Sequence, residues 1–296
     1  EKSYSVGYNN RKMQDKPWLS SDDHSDRYKG NVYVTWTEFD KYASKLPEDK
    51  SRIRFSKYIP AQDSFSTAIT ISDGTGNCQD SDSTLEGATT TVGPKGELYA
   101  VWSGLDKIWF DYSTDGGNTW NTDKVIASQP EGWDMEMPNI QRANGMPFVQ
   151  CDKKRDIIYV CWADEYSGNA DVWIAYSLDK GKTWSTRLKV CLDEYENHQY
   201  FPNMIVDEST GIVYVAYYDQ RFSDQNRFYD ISVSKIDISQ EVQFSVSTIT
   251  KQSIPLPGPN VFYGDYIDID LQKDKLAVIF TSYYNENMAI ELVSGK

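Results

Sequence analysis

Histidine and cysteine are scarce in this chain of 296 residues, and so is positive charge. His24 and His198 stand alone in polar stretches, and Cys78, Cys151, Cys161 and Cys191 form no C-x-x-C pair. That spacing argues against a zinc centre, and the shortage of histidine argues against a Ser-His-Asp triad. A glycine-rich phosphate loop, a G-x-S-x-G turn and an H-E-x-x-H helix are all absent from the sequence. No apolar run approaches the roughly 18 residues of a membrane span, which excludes membrane insertion by a helix. Lysine and arginine number 30 against 44 acidic residues, so the net charge is -14 and the pI near 4.6. Such a chain repels nucleic acid and anionic lipid. Cys151 and Cys161 flank a short hairpin and Cys191 follows in the same repeat. A disulfide among them and a set of buried thiols both fit that placement.

Aromatic residues are abundant instead, at 14% of the chain, which suits strands that pack large flat side chains. One short apolar run recurs five times at intervals of roughly sixty residues. It reads Asn31-Val32-Tyr33-Val34-Thr35-Trp36, then Glu97-Leu98-Tyr99-Ala100-Val101-Trp102, then Ile157-Ile158-Tyr159-Val160-Cys161-Trp162. Ile212-Val213-Tyr214-Val215-Ala216-Tyr217 and Lys275-Leu276-Ala277-Val278-Ile279-Phe280 complete the series. Each run is apolar on both alternating faces, as a strand covered above and below must be. Another strand precedes each run across a turn such as Gly93-Pro94-Lys95-Gly96, and a third follows it. No helical periodicity of useful length is present. The pattern predicts a single all-β domain over residues 1–296, a β-propeller of five four-stranded antiparallel blades. Six blades is the alternative, if an N-terminal blade lies outside this sequence. The last unit lacks a fourth strand, and Ser3-Tyr4-Ser5-Val6-Gly7-Tyr8 is expected to supply it and so close the final blade.

Two segments share the pattern S-x-D-x-G-x-T-W: Ser113-Thr114-Asp115-Gly116-Gly117-Asn118-Thr119-Trp120 and Ser177-Leu178-Asp179-Lys180-Gly181-Lys182-Thr183-Trp184. An Asp can accept backbone N–H bonds inside a tight turn, Gly permits a positive φ, and Trp can fill the space between sheets. The pattern resembles the Asp-box, or BNR, repeat of sialidases and related propellers. The resemblance implies that Ser113, Asp115, Gly117, Trp120, Ser177, Asp179, Gly181 and Trp184 are architecture on the rim, away from any active centre. Further segments, Asp15-Lys16-Pro17-Trp18, Val34-Thr35-Trp36-Thr37-Glu38, Tyr218-Asp219-Gln220-Arg221 and Tyr263-Gly264-Asp265-Tyr266, are similar to bacterial sialidase-like proteins. The likeness implies a bacterial protein that is secreted or held at the cell surface, its signal peptide removed. The family also uses an arginine set to grip the sialate carboxylate. Here Lys16 stands where the first of those arginines is expected, and lysine cannot reproduce a bidentate contact.

Propeller ligands are expected over the central channel, at the loops leading into each innermost strand. Those loops supply Asp15, Glu86, Glu136 and Asp265 as candidate catalytic carboxylates, and Asp219 follows a second strand. Paired carboxylates are what glycoside hydrolysis requires. Lys16, Trp18, Glu38, Asp164, Tyr200, Arg221 and Tyr263 are the candidate substrate-binding residues, with Arg221 either an anion clamp or the ion-pair partner of Asp219 or Asp224. Asp80-Ser81-Asp82-Ser83-Thr84-Leu85-Glu86 alternates oxygen donors, so Asp80, Asp82 and Glu86 form a candidate Ca²⁺ site, although the loop lacks the glycine and spacing of an EF-hand. No cofactor is required. The expected partner is a glycan or glycoconjugate, acted on by a glycoside hydrolase. The alternative is a non-catalytic propeller that binds carbohydrate or a surface protein.

Overall fold

The computed structural model describes residues 2–9, 11–191 and 197–295. Five antiparallel sheets follow one another along the chain, the sheets of an all-β, five-blade β-propeller. The first sheet holds β1 (Met13–Ser21), β2 (Val32–Phe39), β3 (Ser51–Ile59) and the short β4 (Ser64–Phe65) and β5 (Ile69–Thr70). The second holds β6 (Glu86–Val92), β7 (Leu98–Gly104), β8 (Lys107–Ser113) and β9 (Lys124–Ser128). The third consists of β10 (Phe148–Asp152), β11 (Ile157–Asp164), β12 (Asp171–Ser177) and β13 (Leu188–Lys189). The fourth contains β14 (Gln199–Asp207), β15 (Ile212–Asp219), β16 (Phe228–Asp237), β17 (Gln243–Thr248) and β18 (Ile254–Pro255). The fifth is three-stranded: β19 (Asp268–Gln272), β20 (Lys275–Tyr284) and β21 (Asn287–Gly295). Each recurring apolar run is the second strand of its sheet, and in the first three sheets it is almost wholly buried on both faces. All four cysteines are buried. No helix among the described residues is long and apolar enough to cross a membrane.

The chain divides into two compact units. One comprises residues 1–129, 147–160 and 176–184, and the other residues 130–146, 161–175 and 185–296. The division runs through the third sheet.

The N-terminal segment departs from expectation. Residues 2–9 form no strand, and the fifth sheet ends at β21. Tyr4 packs instead on Tyr58 and Phe65 at the outer side of the first sheet, and its hydroxyl bonds to Asp63. Gly7 lies against the Trp36 indole, so close that a Cβ there would stand 2.3 Å from the ring. Aromatic packing on its own sheet thus captures the segment that strand pairing was expected to hold.

Within the first unit, the two S-x-D-x-G-x-T-W turns have one geometry. Ser113 Oγ donates to Asp115 and accepts the Gly117 N–H, while Asp115 accepts the N–H groups of Asn118 and Thr119 and the Thr119 hydroxyl. Ser177, Asp179, Gly181 and Thr183 repeat these bonds. For Asp115, burial opposes ionisation, yet the donors bring its carboxyl down to about 2; Asp179, held chiefly by Thr183, also falls to about 2. Trp120 meets Phe55 of β3 edge-on at 5.1 Å, and Trp184 meets Phe110 of β8 in the same way at 5.1 Å. The glycines are required twice over. Gly117 and Gly181 both have φ of 77°, and a Cβ would come within 2.4 Å of Phe55 or 2.2 Å of Phe110. Each turn therefore seats its Gly and Trp on the third strand of the preceding sheet.

Gly181→Ala is expected to cost about 2–4 kcal/mol, from left-handed strain plus overpacking against Phe110. Gly168→Ala has the strain (φ 99°) but open space around it, and is expected to cost only about 1 kcal/mol. Urea unfolding of the two variants checks this, and equal losses would contradict the packing role.

Candidate functional site

Three inner strands begin with the same irregularity. In β1 the register with β2 slips between Asp15 and Trp18, in β6 with β7 between Glu86 and Thr89, and in β14 with β15 between Tyr200 and Asn203. One extra residue is accommodated each time, which is a β-bulge. The residue inside it is left-handed: Lys16 at φ 49°, Gly87 at 70° and Phe201 at 48°. Glycine takes that conformation freely, but Lys16 and Phe201 each carry about 1–2 kcal/mol of strain. Pro17 and Pro202 help to hold it, because a residue before proline is kept out of the right-handed helical region. The residue just ahead of each bulge, Asp15, Glu86 or Tyr200, is one that the sequence nominates for the site.

In the first unit the bulges of β1 and β6 bring three nominated residues together. The Lys16 ammonium, almost fully buried, lies 3.4 Å from Asp15 Oδ2 and 3.9 Å from Glu86 Oε2. That shared contact puts the two carboxyl oxygens no more than about 7 Å apart. Their environments differ. Asp15 is a quarter exposed and faces a cavity of about 160 Å³ walled by Val6, Gln14, Pro17, Val34 and Trp36. Glu86 is fully buried, and its carboxyl hydrogen-bonds with that of Asp80, a contact that favours the protonated form. Burial raises its carboxyl well above the ordinary range; the nearby Asp80 and Asp15 add to that, and Lys16 opposes it.

Glu38 lies in an ion-pair network in the same unit. It accepts from Lys12 at 3.2 Å, Gln14 at 3.3 Å and Arg52 at 3.1 Å, and Arg52 also forks onto Asp40 at 2.8 Å. Burial alone would raise the Glu38 carboxyl, but these cations keep it below its usual value. Glu38 therefore braces the first sheet and is not open to a ligand. Trp18 packs edge-on against Phe148 at 5.1 Å. The Ca²⁺ reading gains no geometry: among the described residues no group of three or more His, Cys, Asp or Glu side chains is arranged to hold a metal. Asp80 Oδ2 accepts the Tyr42 hydroxyl at 2.6 Å, and the Asp82 carbonyl accepts the Leu105 N–H at 2.6 Å.

In the second unit, Tyr200 and Tyr263 share a hydrogen bond of 2.6 Å between their hydroxyls, inside a cluster with Phe201, Tyr218 and Tyr229. Burial pushes both phenols far above the ordinary tyrosine value, so they are neutral. Asp265 is nearly buried and accepts from Arg142 at 3.0 Å, with its other oxygen unpartnered. Asp219 is gripped by Arg221 at 2.6 and 2.8 Å and by the Ser232 hydroxyl at 2.6 Å. Arg221 is thus in the ion pair with Asp219 that the sequence offered as one of its readings. Asp164 is likewise committed, to Trp162 at 2.8 Å and to Arg187 at 2.9 Å, whose guanidinium lies 3.9 Å from the Tyr166 ring centre. Glu136 is exposed and does not adjoin an inner strand. It sits in a long loop before β10 whose Trp133, Met135, Met137 and Ile140 are buried, and those residues fix the loop's path. Sequence reasoning missed Arg142, Tyr218 and Tyr229. The Tyr217-Tyr218-Asp219 run was the available signal for Tyr218; the loop around Arg142 has no periodicity that would have exposed it.

No family model matches the chain. No curated protein matches it either. Among solved structures the fold is that of several carbohydrate-acting enzymes. The NanB sialidase of Streptococcus pneumoniae matches 94% of this chain and 55% of its own, with 11% identity and a TM-score of 0.55. A leech intramolecular trans-sialidase matches 96% and 56%, with 9% identity and a TM-score of 0.54. A polysaccharide lyase acting on ulvan matches 99% and 69%, with 10% identity and a TM-score of 0.53. The chain spans about half the length of the sialidases it matches. At these identities the likeness is one of fold.

The raised Glu86 carboxyl gives a pH signature. An acid whose folded pKa exceeds its unfolded value, about 4.3, contributes stability below that value and loses it as pH rises toward the folded one. Glu86→Gln removes this loss. Its stability is expected to gain on wild type in urea melts as pH rises above the unfolded value of about 4.3. A gap that stays constant or narrows would show that Glu86 ionises normally.

Proposed function

We propose that this chain is a carbohydrate-acting propeller whose working centre in the first unit is Asp15, served by Lys16 and Glu86. One observation carries the reading. Two carboxyl groups flank one buried ammonium, the first open to a cavity and the second sealed from solvent, where burial raises it well above the ordinary range. Asp15 is the group with access, so it is the carboxylate that meets a substrate. Glu86 touches no solvent; its role is to wall the buried side of the Lys16 ammonium, which lies 3.9 Å away. The likeness in fold to sialidases, a trans-sialidase and a polysaccharide lyase supports a glycan as the substrate class. A lysine where the sialidase pattern has arginine favours a glycan without a carboxylate to clamp. Bacterial export, to a medium or surface where such glycans occur, is part of this proposal.

The second reading, a glycan-binding propeller without turnover, is favoured by one finding: Glu38, Asp164 and Asp219 are all committed to ion pairs. A panel of chromogenic glycosides together with a glycan array separates the two. Turnover that falls about a hundredfold or more in Asp15→Asn, with KM little changed, is the expected result. Array binding with no turnover would establish the second reading, and silence in both assays would overturn the glycan assignment.

A further inference from the structure

The walls of the Asp15 cavity differ in how firmly they are held. Gln14, Asp15 and Pro17 belong to β1, and Val34 and Trp36 to β2. Val6 comes from outside both strands, from the N-terminal segment 2–8. Among the described residues, that segment joins no strand and makes no backbone–backbone hydrogen bond. Side chains anchor its outer end. The Lys2 ammonium and the Tyr4 hydroxyl both donate to Asp63, and the Tyr4 ring rests on Tyr58 and Phe65. Lys2, Tyr4 and Asp63 are all exposed, and an ion pair so placed holds weakly. Further along, Gly7 lies against the buried Trp36 indole, and Tyr8 after it is exposed.

Size gives this segment its consequence. The cavity measures about 160 Å³, whereas pockets that enclose a small organic ligand run to about 300–1,000 Å³. A glycan unit therefore has no room beside Asp15 while Val6 stays in place. The strand walls cannot give way without breaking their ladders. Gln14 and Asp15 pair with Glu38 and Thr37, and Val34 and Trp36 pair onward with Ser56 and Arg54 of β3. The N-terminal segment can leave with the loss of side-chain contacts alone. Its departure removes the Val6 wall and uncovers the Trp36 ring beside Asp15.

We infer that residues 2–8 are a lid on the Asp15 cavity, closed in this structure and lifted to admit substrate. What the lid admits rests on the Asp15 reading; that it moves does not. The motion is read on the full chain without any glycan, from deuterium exchange of the Trp36 indole N–H. That proton is donated to Gln14, and its NMR signal is assigned through Trp36→Phe. A lid that lifts by itself lets the proton exchange through a local opening, at a rate that low urea barely changes. The indole N–H of Trp102, fully buried in the second sheet, is the internal reference and is expected to exchange only by global unfolding. Tyr4→Ala and Asp63→Ala release the anchor and are expected to speed Trp36 exchange about tenfold or more, with Trp102 little changed. Gly7→Ala drives a Cβ into the Trp36 ring and is expected to act in the same direction from the other end. Trp36 exchange that rises with urea in parallel with Trp102 overturns the inference. So does exchange that neither anchor variant accelerates. Because no substrate enters the measurement, the lid can fail while turnover by Asp15 stands, and it can stand where no turnover is found.

Discussion

A left-handed residue set into an inner strand is the constraint on which the functional reading rests. A regular strand alternates its side chains between two faces, so Asp15 and Glu86 would each point wherever parity sent them. The bulges at Lys16 and Gly87 break that parity and gather Asp15, Lys16 and Glu86 around a single ammonium. Lys16 takes the left-handed conformation without glycine's freedom, and the strain is offset by the packing of its buried side chain and by Pro17 behind it. The third bulge, at Phe201, uses the same device to seat Tyr200 against Tyr263 rather than to gather charge.

What separates a carboxylate that can do chemistry from one that holds the fold is the number of donors around it. Glu38, Asp164 and Asp219 are nearly or fully buried, and each is met by a guanidinium at 2.6–3.1 Å. Removing one partner from such a pair leaves an uncompensated charge, typically a loss of about 3–5 kcal/mol. Glu86 has burial without those donors, which is why its carboxyl is raised well above the ordinary range. Asp15 has neither full burial nor a close guanidinium, and it opens to a cavity. Position along the strand was not enough to tell them apart.

The fold was legible because it is written in the second strand of every sheet. Tyr33, Tyr99 and Tyr159 are fully buried in equivalent strands, and runs such as Leu98–Trp102 have no solvent face to conceal their pattern. The paired turns were legible for a similar reason: Gly117 and Gly181 admit no other residue, so the motif must appear in the letters. The N-terminal segment was misread because Ser3–Tyr8 alternates like a strand, and nothing in it records that Tyr58 and Phe65 offer Tyr4 a better place. The site was half legible. Asp15, Lys16 and Glu86, nominated from their place before inner strands, do lie together, as do Tyr200 and Tyr263. Glu136 was misjudged because the strand of its sheet begins only at Phe148. The ion pairs of Asp164 and Asp219 depend on Arg187 and Arg221, whose directions are set by tertiary packing. A left-handed bulge has one faint signature, the Lys16-Pro17 and Phe201-Pro202 steps, and it is absent at Gly87-Ala88.

The state of Glu86 decides whether these bulges build a working centre or merely a strained turn. Carboxyl ¹³C NMR of glutamate-labelled protein, with the resonance assigned through Glu86→Gln, reads that state directly. A Glu86 signal that keeps its protonated shift through neutral pH while the other glutamates ionise normally is the result expected of a sealed acid behind Lys16. A signal that titrates with the rest, in the ordinary carboxylate range, would contradict it.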